Sequence, residues 1–528
     1  MRKHRFSVSR IGIVLLLAIG SLPVEAQQES SEAPRQLTLR QAISLATDSS
    51  LASFRARHSY LSSYWQYRTY KAQNLPQLNL TSTPISYNQN FVLRYNSDTN
   101  TDEYRPQQNI SSSLGLSIQQ NVGPLGGTFY IESDLAFYRN YGDADQQQFS
   151  ATPFRIGYYQ PLFGYNQYRW DKRIEPIKYE AAKRTLLYNM EDIAQQVTDL
   201  FFALVMAQEN YKMGQANLAN ADTLYAIGQQ KYDIASISKS DLLSLKLDVV
   251  DARNALENYR LELKRAKFSL TSYLNLPEDV DIELEIPDLP VESFIDPEKA
   301  LSYAATNNPQ IMEFRRRELE VESAMQKAKV ESRFSATLRA SVGFNQAAET
   351  LGSAYRNLQR QDQVSVGLSI PIVDWGIAKG RYNIAKSNYD MEMVSIEQDR
   401  ISLEQDVIMT VSEFNIQLDL AKSSLEALEL ARQVYRNTME RFIIGKANVT
   451  DLTSAFSRQN TAQTNYITAL RNYWNSYAKI KKLTLFDFEN GMSLSENFDL
   501  MYSMLTSRRG SRGESLPDFE SLYPLTVL

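Results

Sequence analysis

The stretch YDIASISKSDL at residues 232–242 returns as FIIGKANVTDL at residues 442–452, an offset of 210 positions. The same offset aligns Pro161 with Pro371 and Tyr225 with Tyr435, so a single register holds across a large part of the chain. Similarity maintained at a fixed offset indicates a structural repeat. The sequence therefore predicts one internal duplication, and each half is predicted to reverse direction at this motif.

Long helices are predicted on both sides of the motif in each half. Residues 177–276 contain no proline, and residues 381–490 contain no proline and only one glycine, Gly445. Apolar residues in these spans alternate steps of three and four, as in Val407, Val411, Phe414, Leu418, Ala421, Leu425 and Leu428. This heptad spacing is typical of coiled coils. Each half is therefore predicted to form an antiparallel helical hairpin, with arms approaching about 90 Å at 1.5 Å per residue.

The apolar seams of the second hairpin contain polar residues. Arg432 interrupts the first seam, and Gln459 and Gln463 lie in the middle of the second. Glutamines at seam positions suit helices that slide or that border a wet lumen. A solvated irregularity in an ordinary coiled coil is the alternative, and the sequence leaves both open.

Strand-like segments precede the hairpin in each half. They lie at residues 78–95, 110–122, 128–141 and 148–163 in the first half, and at 337–346 and 363–372 in the second. Polar or glycine turns bound them, and the first four are rich in aromatic residues, as expected of the interfacial girdles of an outer-membrane barrel. A soluble β-domain with an aromatic core is the alternative.

The N-terminus predicts export. Arg2, Lys3, Arg5 and Arg10 precede a short apolar segment, and Val24-Glu25-Ala26 resembles a cleavage site, so residues 1–26 are predicted to be a signal peptide. Their removal takes away four Lys and Arg and one Glu, which changes the formal charge from −5 to −8. This acidic balance argues against nucleic acid as a partner. With no cysteine in the chain, a lipoprotein anchor is also excluded.

Few residues could carry catalysis or hold a metal. The mature chain would retain one histidine, His58, and no cysteine, which leaves no thiolate ligand and no imidazole pair. The Gly123–Gly127 turn lacks the Gly-Lys-Ser/Thr ending of a phosphate loop. We therefore expect neither an enzyme nor a cofactor or metal site.

Several short motifs resemble one family. LTLRQAI at residues 37–43 is similar to the usual opening of the TolC-like outer-membrane efflux proteins. YQPLFG at 159–164 and IPIVDWG at 370–376 resemble the strand-to-helix junctions of that family, and the two reversal motifs resemble its periplasmic helix tips. The resemblance covers residues 37–488.

The resemblance implies a membrane α/β barrel. Long coiled-coil hairpins would form a periplasmic α-barrel joined to a short trimeric outer-membrane β-barrel of about 12 strands, four per protomer. The implied function is a homotrimeric exit duct in the outer membrane of a Gram-negative bacterium. It would contact outer-membrane lipid, a periplasmic adaptor protein and an inner-membrane pump. The duct of type I protein secretion is an alternative, and a secreted coiled-coil adhesion protein is an alternative from another class.

The same reasoning divides the chain into five parts. The first repeat spans 27–276, with a β-region at 78–163 and a helical hairpin at 165–276. The second spans 298–490, with a β-hairpin at 337–372 and a helical hairpin at 376–488. A signal peptide, 1–26, precedes them, a linker, 277–297, joins them, and a tail, 491–528, follows.

Residues at the tips are candidates for function by the resemblance. Gate candidates are Asp241, Asp451, Phe442 and Lys446, and adaptor-docking candidates are Tyr232, Ala235, Gly445, Leu242 and Leu452. The two aspartates could form a ring of charge at the lumen mouth, or could cap the helix that follows each turn.

The tips also depart from the family pattern. Ala235 occupies a position where the family usually has glycine, which would make a left-handed turn less favourable. Phe442 and Ala447 replace a Tyr and an Arg that lock the closed pore in some members, so that polar latch cannot form here.

Overall fold

A computed structural model describes residues 35–141, 145–277, 282–287, 294–444 and 446–500. The predicted signal peptide, Gly445 and residues 501–528 of the predicted tail lie outside this range.

The two halves repeat the same series of helices. The first half contains α1 (Leu39–Ser49), α2 (Leu51–Gln73), α3 (Gln167–Asp233) and α4 (Lys239–Tyr273). The second half contains α5 (Pro297–Asn307), α6 (Pro309–Glu331), a short helix α7 (Leu351–Ala354), α8 (Ile377–Ile443) and α9 (Val449–Thr484). Helices α3 and α8 both have 67 residues, which corresponds to about 100 Å at 1.5 Å per residue. The predicted pair of long helical hairpins is therefore confirmed.

Side-chain caps define where several of these helices begin. Thr38 accepts a hydrogen bond from the backbone N–H of Gln41, and the Gln41 side chain accepts one from the backbone of Thr38. Asp296 and Asn308 cap α5 and α6, each with proline at the first helical position. These caps satisfy backbone donors that have no partner within the helix.

The strands form one large antiparallel sheet and two small ones. The large sheet has the order β2-β3-β4-β5-β7-β8. Its strands are β2 (Gln77–Asn96), β3 (Thr101–Val122), β4 (Gly127–Tyr141), β5 (Gln146–Leu162), β7 (Ser335–Ala348) and β8 (Gln359–Ser369). In the small sheets, β1 (Arg35–Leu37) pairs in parallel with β6 (Ile282–Leu284), and β9 (Phe486–Asp487) pairs with β10 (Met492–Ser493).

The large sheet has more strands than the resemblance implies. The resemblance implies four strands per protomer, but the large sheet has six. The additional pair arises because the first half supplies four strands and the second half two, as the six strand-like segments of the sequence predict. All six are hydrogen-bonded into one sheet.

Two apolar cores hold the helices together near the middle of α3 and of α8. One surrounds Phe201, Phe202, Leu270 and Leu470, and the other surrounds Val407, Val411 and Phe414. Most of the seam predicted for α8 is buried, including Leu418, Ala421 and Leu428. Burial of this apolar seam holds the long helices side by side.

No helix in the described part of the chain combines the length and the apolar character needed to cross a membrane.

Candidate functional site: the helix tips and the two-faced sheet

The first tip reverses the chain between α3 and α4. The N–H of Ser236 donates to the carbonyl of Lys231 at 2.8 Å, and the N–H of Ala235 donates to the carbonyl of Tyr232 at the same distance. This pattern of bonds closes a helix C-terminus with one residue in the left-handed region. Ala235 is that residue, with φ of +57°, so the unfavourable turn predicted at this alanine is present.

Asp241 and Ser238 then start α4 with a reciprocal cap. The Ser238 hydroxyl accepts from the N–H of Asp241 at 3.1 Å, and the Asp241 carboxylate accepts from the N–H of Ser238 at 3.0 Å. The Ser238 hydroxyl and the carboxylate also lie 2.8 Å apart. These hydrogen bonds lower the pKa of Asp241 below its ordinary value of 3.8.

The second tip repeats this geometry with different residues. The N–H of Lys446 donates to the carbonyl of Arg441 at 2.8 Å, as at the first tip. The Asn448 side chain accepts from the N–H of Asp451 at 2.8 Å, and the Asp451 carboxylate accepts from the N–H of Asn448 at 3.1 Å. Both aspartates are exposed and both cap a helix. The proposed ring of charge would use the same carboxylates and stays a prediction.

The tip candidates differ in exposure. Phe442 and Leu452 are buried within the chain, and Leu242 is half-buried. Four others are exposed besides Asp241: Asp451, Lys446, Tyr232 and Ala235. Gly445 lies outside the described residues. The predicted docking would therefore fall to the exposed members of the set, and it stays a prediction.

The sequence analysis did not identify two exposed isoleucines at the tips. Ile234 and Ile444 are 75% and 64% exposed, and they occupy equivalent positions of the repeated motif. Their signal in the sequence is an apolar residue at the same place in both turns. An exposed isoleucine at the end of each hairpin is a candidate anchor for a protein partner, since burial of such a side chain contributes about 1.5–3 kcal/mol.

The polar seam residues connect three helices. Arg432 of α8 donates to Gln463 of α9 at 2.8 Å, and Gln463 donates to Glu209 of α3 at 3.4 Å. Arg432 and Gln463 therefore join the second hairpin to the first rather than interrupting the packing at random. This finding explains why the two seams lose apolar character at those positions.

A buried ionic cluster lies where the end of α9 packs against α3. Lys481 is 3.7 Å from Glu191 and 3.5 Å from Asp487, and all three side chains are nearly enclosed. Burial raises the pKa of Glu191. Burial would also raise the pKa of Asp487, but the charge of Lys481 and hydrogen bonds from Asn490 lower it. The cluster joins α3, α9 and the segment after α9, and nothing in its geometry points to catalysis.

The large sheet has two chemically distinct faces. On one face, Leu78, Ile118, Ile131, Ile156 and Val342 are direct neighbours across five successive strands, and each is 37–64% exposed. On β8, Val364, Val366 and Leu368 continue the exposed apolar surface. A broad exposed apolar band of this kind indicates contact with lipid or protein.

The opposite face is polar along the same strands. Its neighbouring residues across all six strands are Asn79, Ser117, Glu132, Arg155, Gly343 and Gln361. Arg155 forms an ion pair with Glu132 on this face. The alternation of apolar and polar residues at these positions is typical of a sheet with lipid on one side and water on the other.

Among the residues that the structure describes, no group of three acidic or histidine side chains could hold a metal ion.

Solved structures identify the fold. The outer membrane channel CmeC of Campylobacter jejuni matches with a TM-score of 0.63 and 15% identity, covering 88% of each chain. VceC of Vibrio cholerae matches with a TM-score of 0.60 and 13% identity, covering 84% of this chain and 95% of that one. The MtrE channel of Neisseria gonorrhoeae, solved in its open state, gives 0.56 and 16%, covering 84% and 88%. The fold is therefore that of outer-membrane channels.

Part of the sequence also matches a protein family. Residues 300–484 match the family described as "Outer membrane efflux protein". No curated protein matched the sequence. Together with the fold, this match confirms the predicted resemblance to the TolC-like outer-membrane efflux proteins.

Proposed function

We propose that this chain is the outer-membrane subunit of a tripartite efflux system. Three copies would form an exit duct through the periplasm and the outer membrane, and an inner-membrane pump with a periplasmic adaptor would deliver the substrate. The subunit would make and break no covalent bond, because its role is to enclose a path.

One observation carries this proposal. The same chain combines a sheet that is apolar on one face and polar on the other with two helical hairpins that end in exposed isoleucines, and the longer helix of each hairpin extends about 100 Å. The sheet would meet lipid and line an aqueous path, and the tips would lie far from the membrane, where an adaptor could bind. Ile234 and Ile444 would contact that adaptor, with the exposed Tyr232 and Lys446 beside them.

The test compares export in cells that differ only at the tips. Deletion of the gene should raise the accumulation of a fluorescent dye such as ethidium, and the unaltered gene should restore export. The double variant Ile234→Ser with Ile444→Ser should reach the outer membrane in normal amount but fail to restore export. Leu243→Ser, which alters an exposed leucine on α4 just beyond the turn, is the matched control and should restore it. Unchanged dye accumulation after deletion, with every candidate dye tried, would contradict the efflux function.

A further inference from the structure

The two outer strands of the large sheet are open edges. In the order β2-β3-β4-β5-β7-β8, β2 pairs only with β3 and β8 pairs only with β7 among the described strands. These strands have 20 and 11 residues, which is enough to cross a bilayer, since a tilted transmembrane strand needs about 9–11. Unpaired backbone groups at such an edge cannot remain within hydrocarbon.

The sheet cannot satisfy these edges by closing on itself. Six strands are fewer than the eight of the smallest outer-membrane barrels. Each edge therefore needs another strand, and a second copy of the chain supplies one. β2 follows α2 and therefore runs away from the helices, whereas β8 precedes α8 and runs towards them. The two edge strands thus run in opposite directions and can pair as antiparallel neighbours.

The hairpin of β2 and β3 is additional to the four strands that the resemblance implies. It has the same apolar and polar faces as the rest of the sheet. Leu78 and Leu80 of β2 lie on the apolar face and are 64% and 68% exposed, while Asn79 between them lies on the polar face. A hairpin held outside the membrane would not need to extend this apolar band. All six strands are thus suited to the wall of one barrel.

We infer that β2 of one subunit pairs with β8 of the next and that the trimer encloses a barrel of 18 strands, six per subunit. This inference rests on the proposed function. Because barrel diameter grows roughly linearly with strand number, the wall would be about 1.5 times as wide as one of 12 strands. The contact is head-to-tail and closes into a ring, since every subunit offers one edge of each kind.

Engineered disulfides test which strands meet, and the chain has no cysteine of its own to interfere. Thr81 on β2 and Asp134 on β4 lie at the same level of the polar face, both opposite Gly115 of β3. Each is changed to Cys and combined, one at a time, with Gln361→Cys, Gln363→Cys, Ser365→Cys or Gly367→Cys on β8. The oxidised proteins are extracted from membranes and separated without reductant.

The inference predicts covalent trimers for Thr81→Cys with one or two of the β8 positions and none for Asp134→Cys. If only four strands per subunit formed the wall, β4 would be the edge, and cross-linking with Asp134→Cys alone would overturn the inference. The inference would also be overturned if neither the Thr81→Cys set nor the Asp134→Cys set cross-links in a stable outer-membrane trimer. A protein that is absent from the outer membrane would instead contradict the proposed function, so the two failures are distinguishable. The single-cysteine variants should remain monomeric after denaturation.

Discussion

The ammonium group of Lys231 in the first tip lies 5.6 Å from the centroid of the Phe442 ring in the second tip. This cation–π contact joins the ends of the two hairpins, and it helps to cover Phe442 within its own chain. The gate candidate Phe442 is therefore covered, whereas the gate candidates Asp241 and Asp451 are exposed to solvent.

Capping and charge at the tips can be separated by mutation. Ser238→Ala removes the cap of α4 but keeps the Asp241 charge, so we expect the tip to lose about 1 kcal/mol while ion selectivity stays unchanged. The double variant Asp241→Asn with Asp451→Asn removes both charges and should reduce cation preference if three subunits form a ring. Reversal potentials in planar bilayers measure selectivity, and thermal unfolding measures stability. Unaltered selectivity in the aspartate variant would leave capping as the only role.

The Asp241 cap also has a predictable pH dependence. Because hydrogen bonds from Ser238 lower the folded-state pKa of this carboxyl below 3.8, its stabilising contribution is present above about pH 4. It is lost as pH falls through the lowered folded-state pKa. Carbon-13 NMR of the carboxyl carbon should show titration below 3.8 in the native protein and at a higher pH in Ser238→Ala.

Ala235 offers a test of backbone strain at the first tip. Its φ of +57° is unfavourable for a residue with a Cβ atom, so Ala235→Gly should stabilise the tip by up to about 1 kcal/mol. Ala235→Val should destabilise it by more than that, since β-branched residues rarely adopt positive φ. Local hydrogen exchange around residues 231–238 reports both effects. Faster exchange in Ala235→Gly than in the native chain would contradict this account of the turn.

The ionic cluster predicts a large effect far from the tips. Lys481→Met would leave Glu191 and Asp487 buried without a cation, so the free energy of unfolding should fall by about 3–5 kcal/mol. Lys212→Met is the matched control, because Lys212 also faces two carboxylates but is 58% exposed. That control should change stability by less than about 1 kcal/mol. Similar losses in the two variants, measured by thermal unfolding of the helical signal, would show that burial does not decide the effect.

Trp375 reports where the sheet meets lipid. It lies at the junction between β8 and α8 with φ of +54° and is 93% exposed, as is Ile372 nearby. Exposed tryptophans at such positions sit at membrane–water interfaces. In a variant with Trp375 as the single tryptophan, brominated lipids should quench its fluorescence strongly. A variant that keeps only Trp474, which packs between helices, should show little quenching.

Much of this fold can be predicted from the sequence, because the repeat offset and the spacing of apolar residues are visible in the sequence itself. The 210-residue offset located both tips, and the heptads of α8 predicted which residues are buried. The sequence analysis predicted that the second strand of this region begins at residue 110, whereas β3 begins at Thr101. Residues 101–109 are polar and contain Pro106, so only their pairing with β2 makes them a strand.

Contacts between the halves could not be predicted. The Lys231–Phe442 and Glu191–Lys481 pairs join residues more than 200 positions apart, and heptad spacing does not specify which helices become neighbours. The caps Ser238 and Asn448 lie only three residues before the aspartates that they bond, but the sequence analysis did not identify them. The ends of the elements follow from local hydrogen bonds, whereas the site depends on tertiary packing.

The most direct test of the duct is the conductance of the purified native oligomer in a planar bilayer, with its mass measured in the same detergent. The account predicts a trimer that inserts stably and passes ions in discrete steps. A monomer, or a trimer that inserts but passes no current at any voltage or pH tested, would contradict it.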